Sequence, residues 1–256
     1  MVKDKGDDGN VGTTGIRATA SFVHTRRLYF SQTHMKSAAS QARRALAIEQ
    51  DFPRAGDLSG AEYVGCVMGA ILMGVAAIEA AVSEVYITAS EKGAGQRSTV
   101  DAALAVLWEV IRRSPTLERA KIALKQAGKT SSDIPCWKNT DDLLKWRNKL
   151  THYTAGSVVV GSTTPDMPVS TSTEIERMLA SKKIAQTYWP DSPQFPHTYL
   201  SGSCARWAVE SSKQFVDDFC RAMGYPSPFV VMEQVAHDQG QSSPFVVVSP
   251  HVAAER

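Results

Sequence analysis

Between Glu62 and Glu79 the chain carries 16 consecutive residues without a charge, Tyr63 to Ile78 (YVGCVMGAILMGVAAI). A helix apolar on every side has to be surrounded by protein or by lipid. A membrane span needs about 20 such residues, so this run is short for one. Gly65, Gly69 and Gly74, with Ala70, Ala76 and Ala77, allow another helix to come close in either setting. The flanks are acidic on both sides, and no Lys/Arg bias marks a cytoplasmic edge. The expectation is therefore the buried central helix of a soluble bundle, capped at Asp57 or Ser59 and running to about Glu91, with no membrane partner. Glu79 and Glu84 fall at its far end, where a carboxylate is usually capped or salt-bridged and sometimes functional.

The segments around this helix also read as helices. From Ser31 to Gln50, Met35, Ala38, Ala39, Ala42, Ala45, Leu46 and Ile48 recur mostly at three- and four-residue steps, and Phe52-Pro53 ends the pattern. Thr99 to Arg113 has the stripe Val100, Ala103, Leu104, Leu107 and Ile111. Pro115 sits in the first turn of a helix closed by Gly128. Thr140, followed by Asp141 and Asp142, opens a helix through roughly His152. Thr173 to Ala185 and Leu200 to Met223 follow, the last with Trp207, Val209, Phe215, Val216 and Phe219 apolar and Gly224 and Pro226 beyond it. The fold class is all-α, a bundle of five to seven helices. Small irregular or strand additions are expected, such as SVVVG at Ser157 to Gly161. Residues 1–30 read as a tail and lead-in, 31–225 as the helical domain and 226–256 as a C-terminal tail. That tail holds two similar patches, SPFVVMEQ and SPFVVVSP, too few to make a repeat.

With 43% apolar and 21% charged residues in 256, wholesale disorder is excluded. Cysteines 66, 136, 204 and 220 form no CxxC pair, which argues against a zinc ribbon, a thioredoxin-like site or a dense disulfide framework. Met1 to Asn10 is polar, unlike a signal peptide, so a reduced, cytoplasmic setting is expected. The net charge of +2 conceals blocks of opposite sign: Thr25 to Arg54 is +4, Asp57 to Ile111 is −5, Arg112 to Lys149 is +6 and Ala205 to Arg256 is −2. Two basic segments around an acidic helix are compatible with a polyanionic partner and also with solvated helix faces.

The segment with the most chemistry is Asp141 to Thr154, DDLLKWRNKLTHYT. In an unbroken helix Arg147 and His152, five apart, sit about 140° around the axis, whereas Asn148 and His152 share one face. Asn148 is placed to orient the His152 ring, and the long Arg147 side chain can curl towards the same point. A histidine exchanges protons near neutral pH, and an arginine forks onto phosphate. The pair suits phosphoryl transfer without a metal. On spacing alone, the commoner reading is a helix C-terminus whose Arg and His side chains interact with the last carbonyls and the macrodipole.

The other chemistry-bearing residues make no comparable pattern. His24, His34, His197, His237 and His251 are scattered without HExxH or ligand spacing, so no metal site is expected. Ser201-Gly202-Ser203 lacks the GxSxG frame, and Gly93-Ala94-Gly95 lacks a Walker lysine. Trp137, Trp146 and Trp189 suit base stacking but are more often core this close to helices, and Cys204 and Cys220 read as small buried apolar residues.

WRNKLTHY on a helix, late in an all-α bundle and after a long helix carrying Ile78-Glu79-Ala80, resembles the HEPN superfamily. The signature of that family is an Arg, a polar residue such as Asn, then His after four to six residues. Arg147, Asn148 and His152 fill those positions, and Tyr153 after the His is common there. The resemblance covers Ser59 to Tyr153 and, more loosely, the last helix. The extra N-terminal helix and the tail after Tyr225 lie outside the minimal fold. The resemblance implies a homodimer whose motif helices face each other across a basic cleft. It implies a metal-independent endoribonuclease of toxin–antitoxin, abortive-infection or other phage-defence systems, needing no cofactor and taking RNA as substrate, with an antitoxin or defence protein as partner. His152 would be the base on a ribose 2′-hydroxyl, Arg147 would stabilise the transition state, and Glu79 could pair with Arg147. Other family members are non-catalytic modules that bind a partner protein or nucleotide, which is the alternative reading.

Overall fold

The computed structural model describes residues 30–51, 58–152, 174–182, 184 and 197–229. Within them the chain forms seven α-helices and no strand: α1 (Phe30–Asp51), α2 (Leu58–Glu91), α3 (Thr99–Ile111), α4 (Thr116–Gln126), α5 (Trp137–Thr151), α6 (Glu174–Ser181) and α7 (Gly202–Ala222). The all-α bundle expected from periodicity is the fold observed. The SVVVG segment, Trp189 and most of both C-terminal patches lie outside the described residues.

α2 is the hub, in contact with α1, α3, α4, α5 and α7. Val67, Ala70, Ile71, Val75, Ile78, Val82 and Tyr86 are buried along it, and Met35, Ala38, Ala39, Ala42, Ala45 and Ile48 of α1 lie in the same core, with Leu46 buried outside that cluster. By length and hydropathy alone, Gly60–Glu91 is apolar enough to cross a membrane, but half of its most apolar window is buried inside the bundle. A half-buried window of this kind is consistent with the core helix of a soluble protein. The small residues act as anticipated at Gly74. A Cβ added there would meet Ser212 Oγ at 2.8 Å and the Ala208 carbonyl oxygen at 3.4 Å, so glycine sets how closely α2 and α7 approach.

Helix ends follow local rules with two corrections. Ser98 caps α3 in a reciprocal capping box with Asp101. α4 and α7 end in left-handed glycines, Gly128 (φ 69°) and Gly224 (φ 73°), each followed by an amide that returns to a carbonyl of the last turn. Ser59 does not cap α2, because the helix already includes Leu58. Thr140 does not open α5, which starts at Trp137. Its hydroxyl instead donates to the Cys136 carbonyl one turn back at 3.1 Å.

The start of the C-terminal segment docks on the bundle. The Tyr225 hydroxyl donates to Asp101, the Ser227 hydroxyl donates to Asp217, and the Gln32 amide donates to the Pro228 carbonyl at 2.6 Å. Phe229 is buried at the end of this strap.

Candidate functional site

α5 packs on α2 and α7 through Leu143, Trp146 and Leu150, all buried. Trp146 is fully enclosed, which makes it a core residue, and Trp137 is half-buried against Phe215. Asp142, also buried, is paired with Lys138 and with Lys182 at 2.9 Å. Burial disfavours its charged form, but the two lysines outweigh burial and hold the carboxyl below the usual range. Lys138 lies on α5 itself, so the contact that reaches another segment is the one to Lys182, just past α6.

The Arg147 guanidinium donates from Nη2 to Glu79 Oε1, joining the motif helix to the central helix. Both groups are half-buried. Two carbonyls in the last turns of α5, those of Arg147 and Asn148, accept from donors other than the Arg147 and His152 side chains. The Thr151 hydroxyl donates to the carbonyls of Arg147 and Asn148, and the His152 amide donates to the Asn148 carbonyl at 3.0 Å. The Arg147 guanidinium is engaged with Glu79 rather than with these two carbonyls. His152 is the residue just past the helix, and its side chain is exposed. Its hydrogen bond with Asn148 is a main-chain one, and the Asn148 side chain is turned to solvent. Tyr153 lies outside the described residues.

Glu79 also forms part of an open groove of about 540 Å³ between α1, α2 and the α3–α4 turn, walled by His34, Ser83, Trp108, Arg112, Arg113 and Arg119. Arg119, on α4, is only 8% exposed. Its Nη1 donates to Ser83 Oγ at 2.8 Å, its Nη2 to Thr116 Oγ1 at 3.3 Å, and its Nε is buried without a partner. Burial lowers the pKa of this guanidinium, and the nearby Glu79 charge opposes that effect. Tyr86 holds the turn from below, donating to the Arg119 carbonyl at 2.7 Å and stacking on Trp108 with centroids 5.6 Å apart. Arg112 reaches Glu109 at 3.6 Å, both well exposed, so its charge stays available to the groove.

Set against protein-family models, curated proteins and solved structures, the chain matches none.

Sequence reasoning named Arg147, Asn148, His152 and Glu79 and missed the groove. The only trace of it in the sequence was the basic block that starts at Arg112. His34 was set aside as one of several scattered histidines, because nothing local links α1 to α4. Among the described residues no three His, Cys, Asp or Glu side chains converge as a metal site would require. All four cysteines are free and buried. Burial pushes the thiols of Cys136, Cys204 and Cys220 up to about 12, so they are protonated apolar residues rather than nucleophiles.

Proposed function

We propose that the protein is a metal-independent, HEPN-type endoribonuclease of prokaryotic stress or phage defence, using His152 and Arg147. The observation that carries this reading is the Arg147–Glu79 pair. It pairs the motif arginine with Glu79, a residue that also lines a groove containing Arg112, Arg113 and Arg119. Structural arginines at a helix end bond the last carbonyls, whereas this one is aimed sideways at a carboxylate in a positive depression.

In the proposed reaction His152 takes the proton of a ribose 2′-hydroxyl, whose oxygen attacks the adjacent phosphorus. The P–O5′ bond breaks, leaving a 2′,3′-cyclic phosphate, and the departing 5′-oxygen takes up a proton from solvent. Arg147 opposes the charge that builds on the non-bridging oxygens, where a preoriented cation is worth most. Exposure of His152 allows a strand to reach it. A homodimer would double the motif, as the resemblance implies.

The test is cleavage of total and synthetic RNA in the presence of EDTA by wild type, His152→Ala and Arg147→Ala, each checked for helical content by circular dichroism. Loss of cleavage in both folded variants supports the mechanism, and equal cleavage by all three removes it. The alternative, a non-catalytic module that binds a partner or nucleotide, is what remains if wild type cleaves no RNA.

A further inference from the structure

We infer that the groove walled by Arg112, Arg113 and Arg119 is a nucleotide-phosphate binding site separate from the reacting His152, a reading that rests on the RNA-directed function proposed above. Charge balance is the first reason. Arg119 is a buried cation whose direct side-chain partners, Ser83 and Thr116, are neutral hydroxyls. Its one nearby carboxylate, Glu79, already accepts from Arg147. A buried guanidinium without a dedicated counter-charge is costly unless an anion joins it. The unpartnered Nε of Arg119 shows the same deficit at the level of a single atom.

The rim adds further positive charge. Arg112 and Arg113 stand together at the end of α3, exposed, beside the buried arginine. Glu79 is the one carboxylate in the groove lining among the described residues, so the local field is positive. Guanidinium forks suit phosphate oxygens and bind them bidentately. Trp108, stacked on Tyr86, and His34 of α1 also line the groove, so two flat rings accompany the cations. A volume of about 540 Å³ is of nucleotide scale. The shared chemistry is a nucleotide phosphate, supplied by an RNA strand or by a free mononucleotide.

The test is fluorescence anisotropy of a short labelled single-stranded RNA on the full chain carrying His152→Ala, so that cleavage does not interfere, with and without Arg112→Ala/Arg113→Ala. Both arginines are exposed, and thermal melts of the two proteins should coincide. The double substitution is expected to weaken binding about tenfold or more at low salt. It should also flatten the slope of log K against log salt by about 1.4, near 0.7 for each phosphate no longer neutralised. Arg113→Lys should restore part of that slope. AMP is titrated in parallel. If RNA does not bind, direct binding of AMP followed by isothermal titration calorimetry, and lost in the double variant, assigns the site to free nucleotide. Equal affinity and salt slope in both proteins, or no binding of either RNA or AMP, overturns the inference. Cleavage by wild type together with unaltered binding in the double variant would remove the groove assignment and leave the catalytic reading standing.

Discussion

Arg147 on α5 and Glu79 on α2, 68 residues apart in sequence, form one half-buried ion pair that ties the motif helix to the core of the bundle. The pair has two separable consequences. It contributes to docking of α5, and it holds a guanidinium in place beside a positive groove.

Glu79→Gln keeps the shape of the side chain and removes its charge. Stability should fall by no more than about 1 kcal/mol, because both groups retain access to water. RNA cleavage should fall further than stability does, since Arg147 loses its fixed position. Arg147→Ala should cost about two to three orders of magnitude in cleavage rate. Urea unfolding alongside single-turnover cleavage checks this, and wild-type cleavage by Glu79→Gln would assign the pair to packing alone.

Gly74→Ala puts a methyl 2.8 Å from the Ser212 hydroxyl oxygen. Alanine favours the helix by up to about 1 kcal/mol over glycine, but overpacking of a tight contact costs about 1–3 kcal/mol. A net loss is expected. The Ser212 hydroxyl is buried without a partner, so Ser212→Ala alone should be close to neutral. Combining the two removes the clash and keeps the propensity gain, so the double variant should be at least as stable as wild type. Denaturant midpoints of the four proteins test this, and simple additivity of the two single effects would contradict it.

Asp101 is a buried carboxylate at the first turn of α3. It accepts from Lys92 Nζ at 2.9 Å, from the Ser98 amide at 3.0 Å and from the Tyr225 hydroxyl. Burial opposes its charge, but these donors outweigh burial and hold its pKa well below the ordinary value of about 3.9. A depressed folded-state pKa contributes stability that is complete above about pH 5 and is lost as pH falls further. Asp101→Asn should cost about 2 kcal/mol at neutral pH, and its deficit should shrink as pH drops from about 5 towards 2. Urea midpoints across that range measure it. A pH-independent difference between the two proteins would show that Asp101 is not the acid-sensitive group.

The buried thiols predict chemical silence. In the native protein at neutral pH, Cys136, Cys204 and Cys220 should react slowly with a disulfide reagent such as Ellman's, because their thiolates are disfavoured by burial. In guanidinium all four cysteines should react at once. Rapid native-state labelling of Cys204, which is fully buried beside Trp146, would indicate local opening of the α5–α7 contact.

The helices themselves were legible in the sequence, because helical period, proline stops and glycine ends are properties of neighbours along the chain. α1 shows its buried stripe directly, and Gly128 and Gly224 mark helix ends through their own backbone conformation. Positions whose fate depends on distant packing were less legible. Thr140 looks like a cap but lies inside α5, where its hydroxyl turns back to Cys136. Val106 and Val110 on α3 are 76% and 79% exposed despite their apolar character, because α3 lies on one flank of α2.

Sequence alone determined that this chain has a central helix with a 16-residue charge-free stretch, an all-α fold and an Arg-Asn-x3-His segment on one late helix. Tertiary structure decided which of those residues meet. Glu79, Arg119 and Arg147 come from three helices, and His34 from a fourth, so no local periodicity relates them. The reason is physical: hydrogen bonds within a helix are set by residues three or four apart, but electrostatic contacts depend on how helices rotate against a shared core. Burial of Leu143, Trp146 and Leu150 sets that rotation for α5, and the arginine beside them is carried to Glu79 with it.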